Sequence, residues 1–334
     1  MLAWEAAKNA LKHVLEAVQG ESITIICDQE KEEIGKAFGE GALALGLWTK
    51  ILYLETPKQF RSEVPETLTE VFTTQKSDMY INLLRGVRDE TPFRIRLLHL
   101  EKRGKGSRVG HCPGVTLDML TEGALALSSE EHIRMQDFAR KLIHRLRQTI
   151  KVEVTSPSGT NLSFNKVGRP FFTDTLLDWK TLSWMNLPTG EVIVAPIEDS
   201  LEGILVCDMA IGGIGPIEYP VELKIKNGTV KETDSTEKSI LTQLEKTFAT
   251  DEWANIVGEF AFGINPKARF IEEFLESEKI VGTIHFAFGN NLNMPSGKNP
   301  SKNHIDLLIS KPSVTVTRSR GEQIPIMKNG KFQI

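Results

Sequence analysis

Five residues in the second half of the chain have side chains of the types that bind divalent metal ions. They are Glu191, Glu259, His285, His304 and Asp306. Each lies beside an apolar stretch, where an ionised or polar side chain is costly unless it is paired or coordinated. Carboxylate oxygens and imidazole nitrogens are donors that hard and borderline cations accept. The five residues are therefore candidate ligands of a metal site.

The local sequence suggests how these side chains are presented. The segment NHIDLLIS is typical of a strand, so His304 and Asp306 project from the same face and can converge on one point. His285 lies in a second apolar strand, TIHFAF. Glu191 opens a third strand, EVIVAP, directly after a Pro-Thr-Gly turn. A carboxylate at the start of a strand, presented by a turn, is well placed to bind an ion.

Each of these residues also has an ordinary structural interpretation. A single histidine in an apolar strand is more often a core or surface residue than a ligand, and a glutamate at a strand start is more often solvated. The separation of two residues between His304 and Asp306 is also found in many strands that bind no metal. Only the five residues together indicate a metal site, and their spacing does not show that they meet.

The first half of the chain offers one further candidate, His111 in the segment RVGHCPG. It could end a strand at the edge of the sheet where the loops of open α/β folds carry ligands. A histidine without a chemical role at a strand-to-loop junction is the more common case. Cys112 lies beside it without an evident basic partner, so no nucleophile is assigned. GxSxG, GxGxxG and Walker motifs are absent from the sequence.

The first 150 residues alternate between strand and helix patterns. Strands are predicted at 23–27, 51–55, 79–84 and 108–112, and helices at 2–18, 30–46, 115–127 and 130–147. Such alternation predicts a mainly parallel sheet covered by helices. Residues 1–150 are therefore expected to form an α/β domain.

The pattern changes near residue 150 to hairpins. They are predicted at 152–164, at 222–232 around Asn227-Gly228, and at the C-terminus around Asn329-Gly330. Helices are expected near 234–247 and 266–279. Residues 151–334 should thus form a mixed α+β, mostly antiparallel, metal-binding catalytic domain.

Composition restricts the class of protein. The 334 residues include 40% hydrophobic and 25% charged residues, as in a folded protein of two domains. A net charge of -4 gives no indication of nucleic-acid binding. The isolated cysteines Cys27, Cys112 and Cys207 favour a reducing compartment. No apolar run approaches the ~18 residues of a membrane span, and the N-terminus is typical of an amphipathic helix. We expect a cytoplasmic protein without nucleic-acid or membrane partners.

Four motifs, taken in order, resemble the thermophilic-type metallo-aminopeptidases, the group that contains aminopeptidases T and S. They are NLPTGEVIVAP (186–196), VGEFAFGINP (257–266), GTIHFAFG (282–289) and NHIDLLI (303–309). None would be specific alone. The resemblance is clearest over residues 150–315, and the N-terminal half is similar to that family's α/β domain only in outline.

The resemblance implies a site for two divalent ions, Zn, Co or Mn, with all five candidate residues as ligands. Glu191 and Glu259 would be the catalytic residues, and Glu259 would bridge the ions. Two such ions lower the pKa of a shared water and polarise the scissile carbonyl. The implied activity is removal of N-terminal residues from peptides by a homodimer. One position departs from the family, because Leu292 stands where those enzymes carry a tyrosine, seven residues after His285.

Two alternatives to this hydrolase remain. The dihydroxypyridine ring-cleaving dioxygenases are similar in fold and use one Fe(II) held by two histidines and an aspartate. Their first histidine stands where this chain has Glu259, and counterparts of Glu191 and His285 are missing there. A small aromatic molecule would then be the substrate. The second alternative is a metal-binding relative that keeps the fold and has lost turnover. Retention of all five ligands favours the hydrolase.

Overall fold

The structure is a computed structural model that describes residues 1–102, 106–177 and 184–334. It divides into two compact units. Unit 1 comprises Met1–Gln136, Asp174–Thr189 and Lys267–Arg269. Unit 2 comprises Asp137–Thr173, Gly190–Pro266 and Phe270–Ile334. The division into an α/β domain over residues 1–150 and a metal-binding catalytic domain over residues 151–334 stays a prediction.

The elements are numbered in chain order. The helices are α1 (Ala3–His13), α2 (Glu32–Ala44), α3 (Glu66–Thr74), α4 (Thr91–Glu101), α5 (Leu117–Thr121), α6 (Ser129–Arg145), α7 (Lys238–Phe248) and α8 (Phe274–Ser277). The strands of the first sheet are β1 (Ser22–Asp28), β2 (Trp48–Leu54), β3 (Met79–Leu84), β4 (Arg108–Pro113) and, later in the chain, β8 (Trp184–Asn186). The remaining strands are β5 (Thr149–Thr155), β6 (Asn161–Asn165), β7 (Phe172–Thr173), β9 (Glu191–Val194), β10 (Glu202–Cys207), β11 (Ala210–Ile211), β12 (Gly215–Pro216), β13 (Val221–Lys226), β14 (Thr229–Asp234), β15 (Val257–Gly263), β16 (Ile284–Gly289), β17 (His304–Ile309), β18 (Ser313–Arg318), β19 (Gln323–Lys328) and β20 (Lys331–Phe332).

Unit 1 contains a five-stranded parallel sheet in the order β2-β1-β3-β4-β8. Its central strands β1 and β3 are buried along almost their whole length, as expected for a sheet covered on both faces. The predicted parallel α/β fold is therefore confirmed.

Three helical regions of unit 1 differ from the prediction. The helix expected over 115–127 is limited to α5, five residues long. Helices α3 and α4 both lie outside the predicted set. In α4, Arg94 and Glu101 are buried among the apolar residues. Buried charged residues on a helix obscure the apolar stripe by which a helix is recognised from sequence.

Unit 2 is built on two antiparallel sheets, which confirms the mostly antiparallel class. The eight-stranded sheet has the order β14-β13-β10-β6-β5-β18-β19-β20, and the seven-stranded sheet has the order β12-β11-β17-β16-β15-β9-β7. Aromatic side chains join them: the Phe164 ring of the larger sheet lies 5.1 Å from the Phe260 ring and 5.9 Å from the Phe286 ring. One face of the seven-stranded sheet thus packs against the larger sheet in the core.

The three predicted hairpins of unit 2 are present as β5-β6, β13-β14 and β19-β20. Asn227 and Gly228 have φ of 51° and 69°, the left-handed pair that a tight hairpin turn requires. The helix predicted over 266–279 is wrong, since only Phe274–Ser277 is helical. Asn265 instead bridges to Ile280, which draws the segment into a loop.

The cysteines are all free and buried, in agreement with the prediction that they form no disulfide framework. Within the described part of the chain, no helix is long and apolar enough to cross a membrane.

Candidate metal centre

All five predicted ligands lie in unit 2, on four neighbouring strands of the seven-stranded sheet. Glu191 is on β9, Glu259 on β15, His285 on β16, and His304 and Asp306 are on β17. Because side chains alternate along a strand, Glu259 and His285 point away from their neighbours Phe260 and Phe286, which fill the core. The five polar side chains therefore share the other face.

The strand register leaves room on that face. His285 pairs with Ala261, Asp306 with Ala287, His304 with Gly289, and Glu191 with Gly263. Glu259 also pairs with Ala287. Cross-strand neighbours lie only about 4.5–5.5 Å apart at Cβ, so a large residue at these positions would occupy the space above the sheet. Each candidate ligand thus faces a small residue on an adjacent strand.

A glycine turn presents Glu191. Gly190 has a φ of 139°, and a Cβ added there would lie 2.4 Å from the Cβ of Asn265. Only glycine avoids both the backbone strain and the clash. The carbonyl of Glu191 accepts a hydrogen bond of 2.7 Å from the Thr173 hydroxyl, which fixes the backbone at the point where the carboxylate begins.

The donor atoms form two triangles that share one residue. Glu191, Glu259 and His285 make the first, and Glu259, His304 and Asp306 make the second. In the first, His285 Nε2 lies 3.4 Å from Glu259 Oε1 and 3.6 Å from Glu191 Oε1. In the second, His304 Nε2 lies 3.4 Å from Glu259 Oε2 and 3.2 Å from Asp306 Oδ1. Ligands about 2.0–2.2 Å from one tetrahedral ion would be separated by about 3.3–3.6 Å.

Glu259 is the shared member, and it uses a different oxygen in each triangle. Its Oε1 faces His285 and its Oε2 faces His304. The side chain is 7% exposed. A carboxylate in this position can serve two neighbouring cations, one through each oxygen.

Two further residues, Glu278 and Lys279, belong to the centre and were not predicted. Glu278 forms a third metal-capable group with His285 and Asp306. Lys279 Nζ lies 2.7 Å from Glu191 Oε2 and 2.8 Å from Glu278 Oε1, and its side chain is 3% exposed. An adjacent Glu-Lys pair usually lies on the solvated surface, so these residue types did not indicate a place in the site. Only their position, a few residues before the His285 motif, pointed to it.

The carboxylates dominate the electrostatics of the centre. Burial alone would lower the pKa of His285, but Glu191, Glu259 and Glu278 raise the pKa to about 10. The pKa of His304 is also raised, since Asp306 and Glu259 outweigh the effect of burial. Burial opposes ionisation of Glu259, yet hydrogen bonding to the two histidines lowers its pKa. A cluster that holds protons this firmly offers the same attraction to metal cations.

The surroundings of the imidazoles are consistent with ligands held in place. His304 Nδ1 lies 2.8 Å from the carbonyl oxygen of Asn290, an arrangement that directs Nε2 towards the carboxylates. His285 is 1% exposed, and its Nδ1 has no hydrogen-bond partner among the described residues. The His285 ring is therefore held by packing and by the contacts of its Nε2 with the carboxylates. The donor types, their separations and their shared negative charge fit divalent metal ions.

The other residues singled out from the sequence lie elsewhere. His111 is in unit 1, where its Nδ1 contacts Asn82 Oδ1, and burial lowers its pKa to about 3. It belongs to none of the metal-capable groups found among the described residues. Leu292, at the position of the family tyrosine, is 55% exposed.

Fold and donor set together define a metal-dependent enzyme. The sequence profile of the thermophilic metalloprotease family (M29) matches residues 130–332, and the chain belongs to that family. This confirms the resemblance inferred from the four motifs.

Individual relatives are more distant. Aminopeptidase T of Thermus aquaticus is 28% identical over 166 residues, which cover 45% of this chain and 40% of that protein. The match thus spans less than half the length of this curated relative. The structure of AmpT from Thermus thermophilus is similar with a TM-score of 0.72 at 18% identity, covering 99% of both chains. The 2,5-dihydroxypyridine dioxygenase of Pseudomonas putida is similar with a TM-score of 0.71 at 17% identity, covering 99% of this chain and 96% of that one. Both structural matches establish the fold.

Proposed function

We propose that this protein is a metal-dependent aminopeptidase that removes N-terminal residues from peptides with the help of two divalent ions. The ligands would be Glu191, Glu259, His285, His304 and Asp306. One observation carries the proposal: the two oxygens of the buried Glu259 carboxylate face different histidines, in two donor triangles that share only this residue. Membership in a metalloprotease family supports hydrolysis as the reaction.

When bound, two such ions would supply an activated water and polarise the scissile carbonyl. The protein's own residues provide the frame. Glu259 holds the two donor sets together, and His304 is oriented by the carbonyl of Asn290. The ammonium of Lys279 lies against Glu191 and limits the movement of that carboxylate. These contacts preorganise the donors before substrate binds.

Lys279 could also compensate for the leucine at position 292. The family tyrosine would place a hydroxyl near a developing oxyanion, and Leu292 has none. A buried ammonium 2.7 Å from a candidate ligand carboxylate is a positive group at the centre itself. Such a charge stabilises an oxyanion through the electrostatics of a water-excluded site. We propose that Lys279 supplies this stabilisation.

The runner-up is a mononuclear Fe(II) dioxygenase acting on a small aromatic ring. Similarity in fold to the dihydroxypyridine dioxygenase, nearly as close as that to AmpT, keeps this candidate open. In those enzymes a histidine stands where this chain has Glu259, so Glu259, His304 and Asp306 would here be the three iron ligands, with a carboxylate in place of one histidine. Glu191 and His285 would then have no part in binding the iron, which is why we prefer the hydrolase.

Substitution of Glu259 by histidine tests one function against the other. A neutral imidazole offers one lone pair to one metal, so Glu259→His should reduce two ions per chain to one. Hydrolysis of aminoacyl amides should fall by more than about 100-fold, since removing even an outer-shell partner costs 10–100-fold. The measurements are metal content by mass spectrometry, aminoacyl-amide hydrolysis, and oxygen uptake with a dihydroxypyridine.

The matched control is Glu218→His, which changes an exposed glutamate of the same unit and should leave all three measurements unchanged. Wild-type protein that binds one iron, consumes oxygen and hydrolyses nothing would replace the hydrolase by the dioxygenase. Full metal content without either activity would favour the relative that has lost turnover. Zinc, cobalt or manganese as the metal, a homodimer and a cytoplasmic location remain predictions.

A further inference from the structure

An open, mainly apolar cavity lies in unit 2, at one end of the eight-stranded sheet. It has a volume of about 540 Å³. Its walls come from the start of β5, the turn after β6, and the residue that follows β18. These segments are joined by backbone hydrogen bonds, from Lys166 N to Ile150 O (3.0 Å) and from Ser319 N to Gln148 O (3.1 Å). The cavity is therefore bounded by ordered sheet structure.

Lys166 brings to the cavity a positive charge that has no negative partner among the described residues. Lys166 lines it and is 8% exposed. Within the described residues no carboxylate lies within ion-pair distance of its Nζ, and the contact that it makes is with the ring of Phe171, 5.1 Å from the ring centroid. Burial lowers the pKa of this lysine, and no neighbouring charge counteracts that effect. The ammonium is therefore available to a ligand anion in the cavity.

The second cation of the cavity is already neutralised. Arg169 donates from Nη2 to Glu198 Oε2 at 2.5 Å and from Nη1 to the carbonyl oxygens of Ala195 and Pro196. Its charge and hydrogen bonds are thus used within the protein. Lys166 leaves one positive charge uncompensated, which suits a ligand with one negative charge better than a dianion.

The remaining walls indicate what else the ligand must offer. Ile150, Val167 and Pro170 are apolar, so part of the occupant should be apolar too. Thr149 also lines the cavity, and its buried Oγ1 has no hydrogen-bond partner among the described residues. A buried hydroxyl is normally satisfied by a partner, and a ligand oxygen would supply one.

We propose that this cavity binds a small organic monocarboxylate, with the carboxylate on Lys166 and its apolar body against Ile150, Val167 and Pro170. The residues that form the cavity differ from those of the metal centre. The proposal therefore stands or falls independently of the peptidase reaction.

Three probes separate charge from apolar contact: 4-methylpentanoate, its uncharged analogue 4-methylpentanamide, and acetate. Calorimetry on the full-length, metal-loaded protein should show binding of 4-methylpentanoate. The amide, which cannot pair with an ammonium, should bind at least about tenfold more weakly. Acetate, which lacks the apolar body, should also bind more weakly.

Matched variants locate the binding. Lys166→Met keeps the length of the side chain and removes the charge, and it should weaken 4-methylpentanoate binding by about tenfold or more. Thr149→Val keeps the shape and removes the hydroxyl, with an expected loss of a few-fold. Lys328→Met, at an exposed lysine of β19, should change nothing.

A second readout uses the wild-type protein and does not depend on folding of a variant. Amine acetylation followed by mass spectrometry should show that 4-methylpentanoate protects Lys166 and leaves Lys328 unprotected. Equal binding of acid and amide, equal binding to wild type and Lys166→Met, or absence of protection at Lys166 would each overturn the proposal. Binding of inorganic phosphate in preference to 4-methylpentanoate would overturn the assigned ligand class.

Discussion

Both units of the molecule bury carboxylates, but the groups that balance their negative charge differ. In unit 1, Asp28 and Glu90 are 0% exposed and meet the guanidinium of Arg61. The Nη1 and Nη2 atoms of Arg61 lie 2.5 and 2.8 Å from the two Asp28 oxygens, and its Nε lies 2.9 Å from Glu90 Oε1. Arg85 provides a second cation to Glu90. Two carboxylates are thus balanced by two guanidiniums.

In unit 2 the balance depends on protons held by histidines. Glu191, Glu259, Glu278 and Asp306 surround two histidines, and Lys279 is the cation paired with two of these carboxylates. The separations between histidine nitrogens and carboxylate oxygens, 3.2 to 4.0 Å, exceed those of the unit 1 network. Buried ions paired at hydrogen-bond distance make a structural network. A cluster whose carboxylates are balanced by exchangeable protons, at wider spacing, has the features of a site that is completed by cations.

Substitutions on β17 give the strongest test of this difference between the two units. Asp306→Ala removes a negative charge and His304→Ala a nitrogen donor from the same triangle. Each should lower metal occupancy and reduce aminoacyl-amide hydrolysis by more than about 100-fold. Metal analysis of the purified variants, together with steady-state kinetics, checks this. Asp306→Ala protein with a full metal complement would mean that the unit 2 carboxylates are structural, as in unit 1.

The reverse behaviour is expected in unit 1. Arg61→Met should leave Asp28 and Glu90 short of a buried cation and lower the free energy of unfolding by about 3–5 kcal/mol. Metal content per folded chain should not change. Urea denaturation provides the measurement, and Arg96→Met provides a matched control. Arg96 pairs with Glu63 at the surface, with side chains 49% and 74% exposed, so the control should lose at most about 1 kcal/mol. If Arg61→Met loses as little free energy of unfolding as the control does, the ion pairs of Arg61 do not stabilise unit 1.

A smaller effect concerns protonation of unit 1. His132 is 1% exposed, stacks on His13 with ring centroids 5.3 Å apart, and has a pKa lowered to about 4 by burial. Its folded pKa lies below the unfolded value of about 6.5, so the unfolded chain binds the proton first. The neutral histidine therefore contributes stability above pH 6.5 that is lost as the pH falls towards 4.

The expected loss between pH 7 and 4.5 from this group is about 2 kcal/mol. Urea denaturation of chelator-treated wild type and His132→Leu at both pH values isolates it, because the variant lacks this titration. Identical pH dependence in the two proteins would show that His132 is not held neutral by the fold.

The sequence was informative where local chemistry decides the structure. Asn227-Gly228 and Asn329-Gly330 predicted their hairpins, because few residues tolerate the left-handed backbone of such turns. The spacing of His304 and Asp306 placed both on one strand face, since side chains alternate with a period of two.

Other features depend on contacts between distant residues. Lys279 reaches Glu191, 88 positions earlier in the chain, and no local pattern encodes that meeting. The predicted helix over 266–279 failed because the pairing of Asn265 with Ile280 overrides local helical preference. That the five candidate ligands lie together was likewise beyond what spacing could show. The family resemblance, rather than periodicity, brought them into one hypothesis.

The alanines and glycines opposite the candidate ligands also affect how the sheet assembles. A slip of one residue between β15 and β16 would turn every side chain on one strand to the other face. Phenylalanines such as Phe260 and Phe286 would then stand where the acids and histidines now converge, and a charged residue would enter the core. A misaligned sheet could not assemble the donor triangles, so metal capture would select the chains whose strands have paired correctly.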